Sequence, residues 1–538
     1  MNHLRVARIV AIASAVYFIL HGLYVITAPE HTVMSWLYDD CFYYLITAKH
    51  LFEQHISSFD GITVTSGYHP LWAWICVSVY GLHNKLDITY VRLCMGVSLL
   101  ISSLVLVAAL RRSLPANFGW LWALGLGATS YSALNNGITI MEWPLVIVFW
   151  TLMHLLLLRQ SDPHCTRSRL ITLCAASAAL GFAGSLSRTD FGLIPAAYVA
   201  AGTFIGYRYH LWRPFKAALW AVSGSAVGLG CVMAYNRAMT GSWAQQSVQV
   251  KHLLASTSTP FNPAPAAWQF ARALLYLPPL DLSQGDRTQL VRYGVLALVG
   301  CSLAAIAAII YLVRRRSARK ANLIPSSPQE ALGFASAIFG IAGYLILYSF
   351  NSQGTFGWYS ATVTGFVLLL AARAFTHVGP RIAAACALPL IALNIAVGLY
   401  GGPTAGGQYQ EVRTGRVLHR DHPNSLMAGG DVGKPSFYNG GTMINLDGLM
   451  NNEVYPYLTA GNFPCYFLVR HIEYLSDVGG MTVPIVDAER TRHHLPALNW
   501  AKIFVPRSAT DDEGFAATYL QTDFAAIQNL GECPAPHH

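Results

Sequence analysis

The chain is poor in charge. Lys, Arg, Asp and Glu make up 11% of its 538 residues, less than half the roughly 25% of an ordinary soluble domain. Hydrophobic residues make up 54% and the mean hydropathy is +0.40. The ten cysteines contain no CxxC pair and no zinc-ligand spacing, which argues against thiol redox and structural zinc. No internal repeat is visible, against the symmetry usual in transporters built from repeated halves. The net charge of +9 is not that of a nucleic-acid binder, because the basic residues fall between apolar runs, where they set membrane orientation.

What the chain does have is a series of apolar windows near the ~20 residues needed to cross a bilayer. Candidate spans are 8–28, 91–110, 117–134, 143–158, 169–186, 190–206, 216–235, 291–312, 331–350, 357–375 and 381–400. Residues 8–28 are long for a signal-peptide core and no small-residue cleavage site follows, so they read as a retained helix. The stretch 69–83 is too short to span. Leaving it in the outer leaflet puts Arg5/Arg8, Arg111/Arg112, Arg167/Arg169, Arg213/Lys216, Arg314–Arg316 with Arg319/Lys320, and Arg373/Arg381 on one side. The positive-inside rule then predicts about eleven helices, with the N-terminus inside and the C-terminus outside.

The outer loops under this reading are 29–90, 135–142, a short hairpin near 187–189, 236–290 and 351–356. Loop 236–290 carries TPFNPAPAAW followed by FARALLYL, read as a short interfacial helix. SARKANLIPSSPQE reads as an inside loop. From 403 the composition turns to Gly, Asp, Asn, His and Pro, which predicts a small α/β domain over 403–538 after a membrane module over 1–402. In that domain MAGGD and INLDGLM read as strand–turn segments, EVYPYLTAG and CYFLVRHI as helices, and AKIFVP as a short buried strand. Cys465 and Cys533 are the cysteines of this domain. An oxidising compartment permits their pairing, and sequence leaves the question open.

Charge is spent most conspicuously at LYDDCFYYLITAKHLFEQHISSFDGITVTSGYHPLW, residues 37–72, just after the first apolar run. Asp39 as an N-cap and Asp40 in the first turn suit a helix 40–54, with Cys41, Leu45, Ala48 and Phe52 on an apolar face and Lys49, His50 and Glu53 elsewhere, lying flat on the membrane. The second reading adds chemistry to the same helix: a carboxylate between apolar walls takes a proton from a hydroxyl, or holds a divalent ion. Asp60, Tyr68 and His69 return in the same loop, with Gly61 and Gly67 at turns.

This stretch resembles the first outer loop of the GT-C membrane glycosyltransferases, in particular the bacterial branch reading Asp-Asp-x-Phe-Tyr-Tyr-Leu, Phe-Asp-Gly and Thr-Asn-Gly-Tyr-His-Pro-Leu-Trp. It departs at Ser66, where that pattern has Asn, and at Val64, where Pro is common. NNGITIMEWPL resembles the second outer loop and supplies Glu142, a cap for span 143–158 in the simpler reading. LSRTDFG resembles an Arg-x-Asp at an outer hairpin, with Arg188 and Asp190, which in the simpler reading pair with each other. YNRAMTGSW and VQVK resemble the segment leading to a Lys, here Lys251, without the Pro-x-Ser-Gly that precedes it in the family. Trp358-Tyr359 resembles a Trp-Tyr near the site, or is an interfacial anchor. GGDVGKPSFY and NLDGLMN resemble the tail domain, with Asp447 and Asn451 either lining the acceptor groove or fixing a turn.

The resemblance implies an inverting glycosyltransferase of the bacterial inner membrane, with a polyprenyl-phosphate-linked sugar as donor, a glycan, lipid or protein hydroxyl as acceptor, and membrane lipids around it. It gives the base role to Asp39 or Asp40, with Asp39 preferred. Lys251 and Arg188, then Arg237, would hold the donor phosphate. Glu142, Asp190, Asp60, Tyr68, His69, Trp358, Tyr359, Asp447 and Asn451 would contact substrate. A divalent ion (Mg, Mn or Ca) would sit on Asp40 and Glu142. The rival readings are a flippase for lipid-linked sugars and a non-catalytic assembly subunit.

Overall fold

The structure is a computed structural model that describes residues 3–114, 118–161, 167–255, 327–350, 357–400, 409–476, 482–511, 514 and 516–533. The expected span 291–312, the basic run 314–320, most of loop 236–290 and loop 351–356 lie outside the described residues.

The first helices are α1 (His3–Thr27), α2 (Glu30–Trp36), α3 (Asp39–Glu53), α4 (Pro70–His83) and α5 (Ile88–Ser113). They are followed by α6 (Phe118–Thr129), α7 (Trp143–Gln160), α8 (Arg167–Ser187), α9 (Leu193–Tyr209), α10 (Arg213–Thr240) and α11 (Gln246–Ala255). Three more long helices cover Pro328–Ser349, Ala361–Val378 and Pro380–Tyr400. Among the described residues, eight helices are long and apolar enough to span a membrane. The expected spans 117–134 and 190–206 contain helices of only 12 and 17 residues. The first gives way to a π-turn, Ser132–Asn136, that carries the chain to Glu142. The chain is a multi-pass membrane protein. The expected figure of eleven joins these eight to the two shorter helices and the undescribed 291–312.

Helices α8 and α10 meet through glycine. A Cβ on Gly181 would stand 2.0 Å from the Ala221 carbonyl oxygen, and one on Gly224 would stand 1.9 Å from that of Ala178. Small residues let helix backbones approach closely where lipid supplies no hydrophobic drive. Alternation of direction along the bundle then places the C-terminal ends of α8, α10 and Pro328–Ser349, and the N-terminal ends of α7 and Ala361–Val378, on one side. The basic pairs at Arg111/Arg112, Arg213/Lys216 and Arg373/Arg381 lie at the opposite helix ends.

The outer loop departs from the flat-lying helix expected of it. Asp39, Cys41 through Ala48 and His50 are all buried in α3, because α4 covers one side and the tail helix Gly433–Tyr438 covers another. Phe42 packs edge-on against Phe437, with ring centroids 5.3 Å apart. His50, expected on the polar side, donates from Nδ1 to the Ser58 carbonyl (3.1 Å), whereas Phe52, expected on the apolar face, is 41% exposed. Asp39 is the first residue of the helix, not its cap, which is Tyr38. Helix α4 is 14 residues long and does not span, as the stretch 69–83 was expected not to.

The tail holds a five-stranded sheet in the order β2-β1-β3-β5-β4. Strand β1 (Met427–Gly429) pairs parallel with β2 (Ile444–Asn445) and β3 (Tyr474–Leu475). Antiparallel pairing joins β3 to β5 (Ala516–Thr522) and β5 to β4 (Phe504–Thr510). The helices Tyr455–Thr459 and Pro464–Arg470 fall in the two segments read as helical. AKIFVP, read as one buried strand, is instead a short helix Trp500–Ile503 running into the largely exposed edge strand β4. Cys465 and Cys533 form a disulfide that ties the end of the sheet domain to the helix Pro464–Arg470.

Two glycines bring the tail onto the outer loop. A Cβ on Gly67 would lie 2.0 Å from the Leu449 carbonyl oxygen, and one on Gly433 would lie 2.3 Å from that of Asp39. Gly430 faces open space. Gly67→Ala and Gly433→Ala should each cost about 1–3 kcal/mol of tail docking, read as faster protease cleavage between membrane module and tail. Gly430→Ala should be cleaved at the parental rate, and equal sensitivity of all three variants would count against this packing.

Candidate functional site

The helix ends on the Glu142 side surround a small cavity of about 60 Å³. Its walls include Asp40, Tyr43 and Tyr44 from α3, Tyr68 and His69 from the loop before α4, Glu142 and Arg188 from the bundle, Lys251 from α11, Tyr359, and Leu449 and Met450 from the tail. Seven chain segments thus reach the same space, which no local pattern in the sequence specifies.

Arg188 anchors it. The guanidinium, 4% exposed, donates from Nε (2.7 Å) and Nη2 (2.9 Å) to the two Asp190 oxygens and from Nη1 to Glu142 Oε1 (2.7 Å). Tyr348 donates to Asp190, and Tyr44 donates to Glu142 Oε2 at 3.1 Å. Glu142 stands at the N-cap position of α7 but makes no capping bond, so the cap reading of this carboxylate fails. Burial pushes the Asp190 carboxyl up, and the charge and hydrogen bonds of Arg188 bring it below the usual carboxylate range. Arg188 is therefore already neutralised by two carboxylates before any ligand arrives.

Asp39 and Asp40, adjacent on the helix, face different partners. Asp39 accepts from the backbone N–H groups of Gly433 and Lys434, both at 2.7 Å. It fastens the tail to the membrane module and does not line the cavity. Burial pushes its carboxyl up, against the pull of those amides and of Lys434. Asp40 lines the cavity, and no described residue hydrogen-bonds its side chain. Burial raises its pKa to about 6, the Lys251 charge opposing and Asp39 and Glu142 adding to the rise. Asp39, the carboxylate preferred from sequence, is thus engaged by the tail, and Asp40 is the one that faces the cavity.

Lys251 donates to the Tyr359 hydroxyl at 2.6 Å, with its ammonium 5.2 Å from that ring's centroid. No described carboxylate comes within ion-pair distance of it. Burial acts to lower the ammonium and is outweighed by Tyr359 and Asp40, so its pKa is raised and it is held charged. Tyr359 stacks on Tyr348, with centroids 5.2 Å apart, and Arg188 lies over its other neighbourhood at 5.3 Å. His69 places Nε2 3.8 Å from Glu142 Oε1, and its buried Nδ1 has no partner. Burial pushes the imidazole below its ordinary pKa. Tyr68 shares hydrogen bonds with Ser57 (2.7 Å) and Tyr235 (2.8 Å).

Other expected site residues serve the fold. Asp60 accepts from the N–H groups of Ile62 and Thr63 and from the hydroxyls of Ser58 and Thr63, which closes a turn inside its own loop. Asn451 donates to the Asn445 carbonyl (3.0 Å) and Tyr466 (2.9 Å) and accepts from Glu453 N–H (2.9 Å). Asp447 accepts from Leu449 N–H (2.7 Å), its second oxygen is buried without a partner, and burial holds its carboxyl well above the usual range. These two fix the turn that presents Leu449 and Met450 to the cavity, and neither lines it. Arg237 is bound to the carbonyl of Gly241 at the end of α10, away from the cavity. The Trp358 side chain lies outside the described residues. Tyr43, Tyr44 and Tyr348 were not singled out from sequence. The first two lie in the quoted run, and their number was the available signal.

Among the described residues, no group of three or more His, Cys, Asp or Glu side chains could hold a metal ion. Both oxygens of Glu142 are hydrogen-bonded to Arg188 and Tyr44. Asp40 and Glu142 by themselves form no all-protein cage of the kind that holds Ca²⁺.

Removing Arg188 should leave two buried carboxylates unpaired. Arg188→Met is expected to destabilise the protein by about 3–5 kcal/mol, read as a lowered unfolding temperature in detergent. Arg188→Lys, which lacks the bidentate fork, should recover only part of it. Full recovery by Lys would deny the clamp.

No family model matches the chain, and no curated protein matches it in sequence. Solved structures do. The chain is similar to ArnT from Cupriavidus metallidurans, bound to undecaprenyl phosphate, with a TM-score of 0.53 at 12% identity over 96% of this chain and 98% of that one. Two structures of the oligosaccharyltransferase AglB from Archaeoglobus fulgidus, one tethered to an acceptor peptide and one with an inhibitory peptide and dolichol-phosphate, give TM-scores of 0.45 and 0.44 at 12% identity over 96% of this chain and 74% of theirs. The similarity to ArnT runs over 96% of the chain and gives it the GT-C fold.

Proposed function

We propose that the protein is an inverting glycosyltransferase that moves a sugar from a polyprenyl-phosphate donor to an acceptor hydroxyl. The observation that carries this is Asp40: a carboxylate facing a cavity, with no hydrogen bond to a described residue, whose pKa is raised to about 6, across from a lysine that has no described ion-pair partner. The fold is shared with ArnT, whose structure contains undecaprenyl phosphate, and that lipid class is the donor carrier proposed here.

In the reaction, the acceptor oxygen attacks the anomeric carbon as the bond from that carbon to the phosphate oxygen breaks. The configuration inverts, the acceptor proton passes to Asp40, and the electron pair leaves with the polyprenyl phosphate. Lys251 donates to the phosphate as charge builds there, a charge-assisted contact that strengthens toward the transition state. Arg188, committed to its two carboxylates, holds the wall of the site in place and leaves the phosphate contact to Lys251. His69, Tyr44 and Tyr68 form the wall against which the sugar lies. Asp190 and Glu142 act through Arg188. No step is assigned to a metal. The site faces the outside of the bacterial inner membrane, with the N-terminus in the cytoplasm and the tail in the periplasm, where nucleotide sugars are absent and a lipid-borne donor is required.

Asp40→Asn should lower kcat by about 10²–10⁴-fold while donor-lipid binding is retained. A transporter or assembly subunit would keep its function after this change. Asp39→Asn should act on tail docking instead, with protease sensitivity rising. Loss of kcat in Asp39→Asn with full activity in Asp40→Asn would overturn the assignment.

The pH dependence follows from the sign of the shift. Asp40 accepts a proton only when ionised, so turnover should fall as pH drops through about 6. Lys251 lowers the Asp40 pKa, so Lys251→Met should move that acid limb to higher pH. A limb that stays in place in Lys251→Met would show that another group titrates.

A further inference from the structure

A cavity larger than the candidate site lies elsewhere among the described residues. It is an apolar crevice of about 320 Å³ between α1, α5, α6, α7 and the helix Ala361–Val378. It runs beside α7 from Trp143 to Leu158, fifteen residues or about 22 Å at the helical rise. Leu106, Leu124, Trp150, Leu155 and Leu368 supply hydrocarbon walls. At the end away from the candidate site, Arg112 and Ser113 join the lining. Arg112 is solvent-exposed at the last turn of α5, and no described acidic side chain pairs with it. A second cavity of about 200 Å³ meets the first at Trp120, His154 and Leu158, and there the other cation, Arg373, is already bound to Glu330 (2.8 Å).

An elongated apolar slot with one unpaired cation at its mouth is complementary to an amphiphile with one negative charge. We infer that this crevice binds an anionic phospholipid of the membrane, its acyl chain beside α7 and its phosphate on Arg112. The phosphate then lies at the helix ends opposite Lys251, so the lipid is distinct from a donor whose phosphate would sit in the candidate site. Charge selects the head group: a basic residue near a bilayer surface favours an anionic lipid by roughly 1 kcal/mol, about five-fold in occupancy. Arg111, its neighbour, is exposed but does not line the crevice, so it serves as the control for general surface charge. The inference does not depend on the glycosyltransferase reading.

The test uses the purified full chain in mild detergent, offered equal amounts of phosphatidylglycerol and phosphatidylcholine with the same acyl chains, with retained lipid counted by native mass spectrometry. The parent should retain phosphatidylglycerol about five-fold over phosphatidylcholine. Arg112→Gln should bring the two to parity, and Arg111→Gln should keep the preference. Ala109→Phe, which fills the crevice wall, should reduce retention of both lipids in protein whose unfolding temperature is unchanged. Asp40→Asn should retain the parental preference, which separates this result from any failure of the catalytic assignment. The inference is overturned if Arg112→Gln keeps the preference, if Arg111→Gln loses it equally, if Ala109→Phe retains both lipids, or if equimolar polyprenyl phosphate displaces the phosphatidylglycerol.

Discussion

One buried guanidinium holds the site together. Arg188 closes the turn between α8 and α9 by gripping Asp190, and the same group reaches Glu142 at the start of α7. Through Asp190 it is joined to Tyr348 at the end of another membrane helix, and its neighbour Tyr359 begins the next. Breaking such a buried pair by removing one partner costs several kcal/mol, because the survivor is left charged in a medium that solvates it poorly. The helix ends cannot separate without exposing that cost. The cavity is therefore a by-product of ion pairing at the ends of the spans, and the residues that form its free wall are those the clamp does not use.

Asp39 and Asp40 show how adjacency in sequence yields opposite roles. Successive residues on a helix point about 100° apart, so neighbouring carboxylates on α3 cannot share a partner easily. One is satisfied by two backbone amides of the tail, and the other is left over the cavity. The tail thus contributes to the site twice. It consumes the charge of Asp39, and it places Leu449 and Met450 in the wall through a turn held by Asp447 and Asn451. A membrane module without this domain would expose two like charges in the first turn of α3, with the pKa of each set by the other.

The helical membrane class, the polar tail and the density of function in residues 37–72 were legible because they rest on composition and spacing. So was the pairing of Arg188 with Asp190, two residues apart. What was not legible depends on contacts across hundreds of residues. The choice between Asp39 and Asp40 is made by Gly433 and Lys434, and nothing within α3 reveals it. The face assignment of α3 differed from the expected one because the helix is covered by protein on faces that its weak amphipathicity could not assign. Asp60 was over-read: an Asp two or three residues before free N–H groups closes a turn by itself. Tyr348 offered no signal, being one more aromatic near the end of an apolar helix.

The charge count around the cavity constrains any chemistry there. Asp40, Glu142 and Asp190 oppose Arg188 and Lys251. Arg188 with Glu142 and Asp190 carries one net negative charge, so Lys251 is the cation left facing Asp40 in a site that is negative by one charge overall. In the proposed reaction, a lipid phosphate arriving at Lys251 draws on the same positive charge that keeps Asp40 ionised, so donor binding would raise the basicity of Asp40. A base that becomes stronger when the leaving group is seated takes the acceptor proton more readily in the complex than in the free protein. The departing phosphate, carrying an additional negative charge once the sugar is transferred, then competes with a neutral, protonated Asp40 and no longer with a carboxylate. In the proposed reaction, proton acceptance and leaving-group stabilisation are coupled through a single lysine, and that coupling rests on two adjacent acids of which the tail removes one from the count.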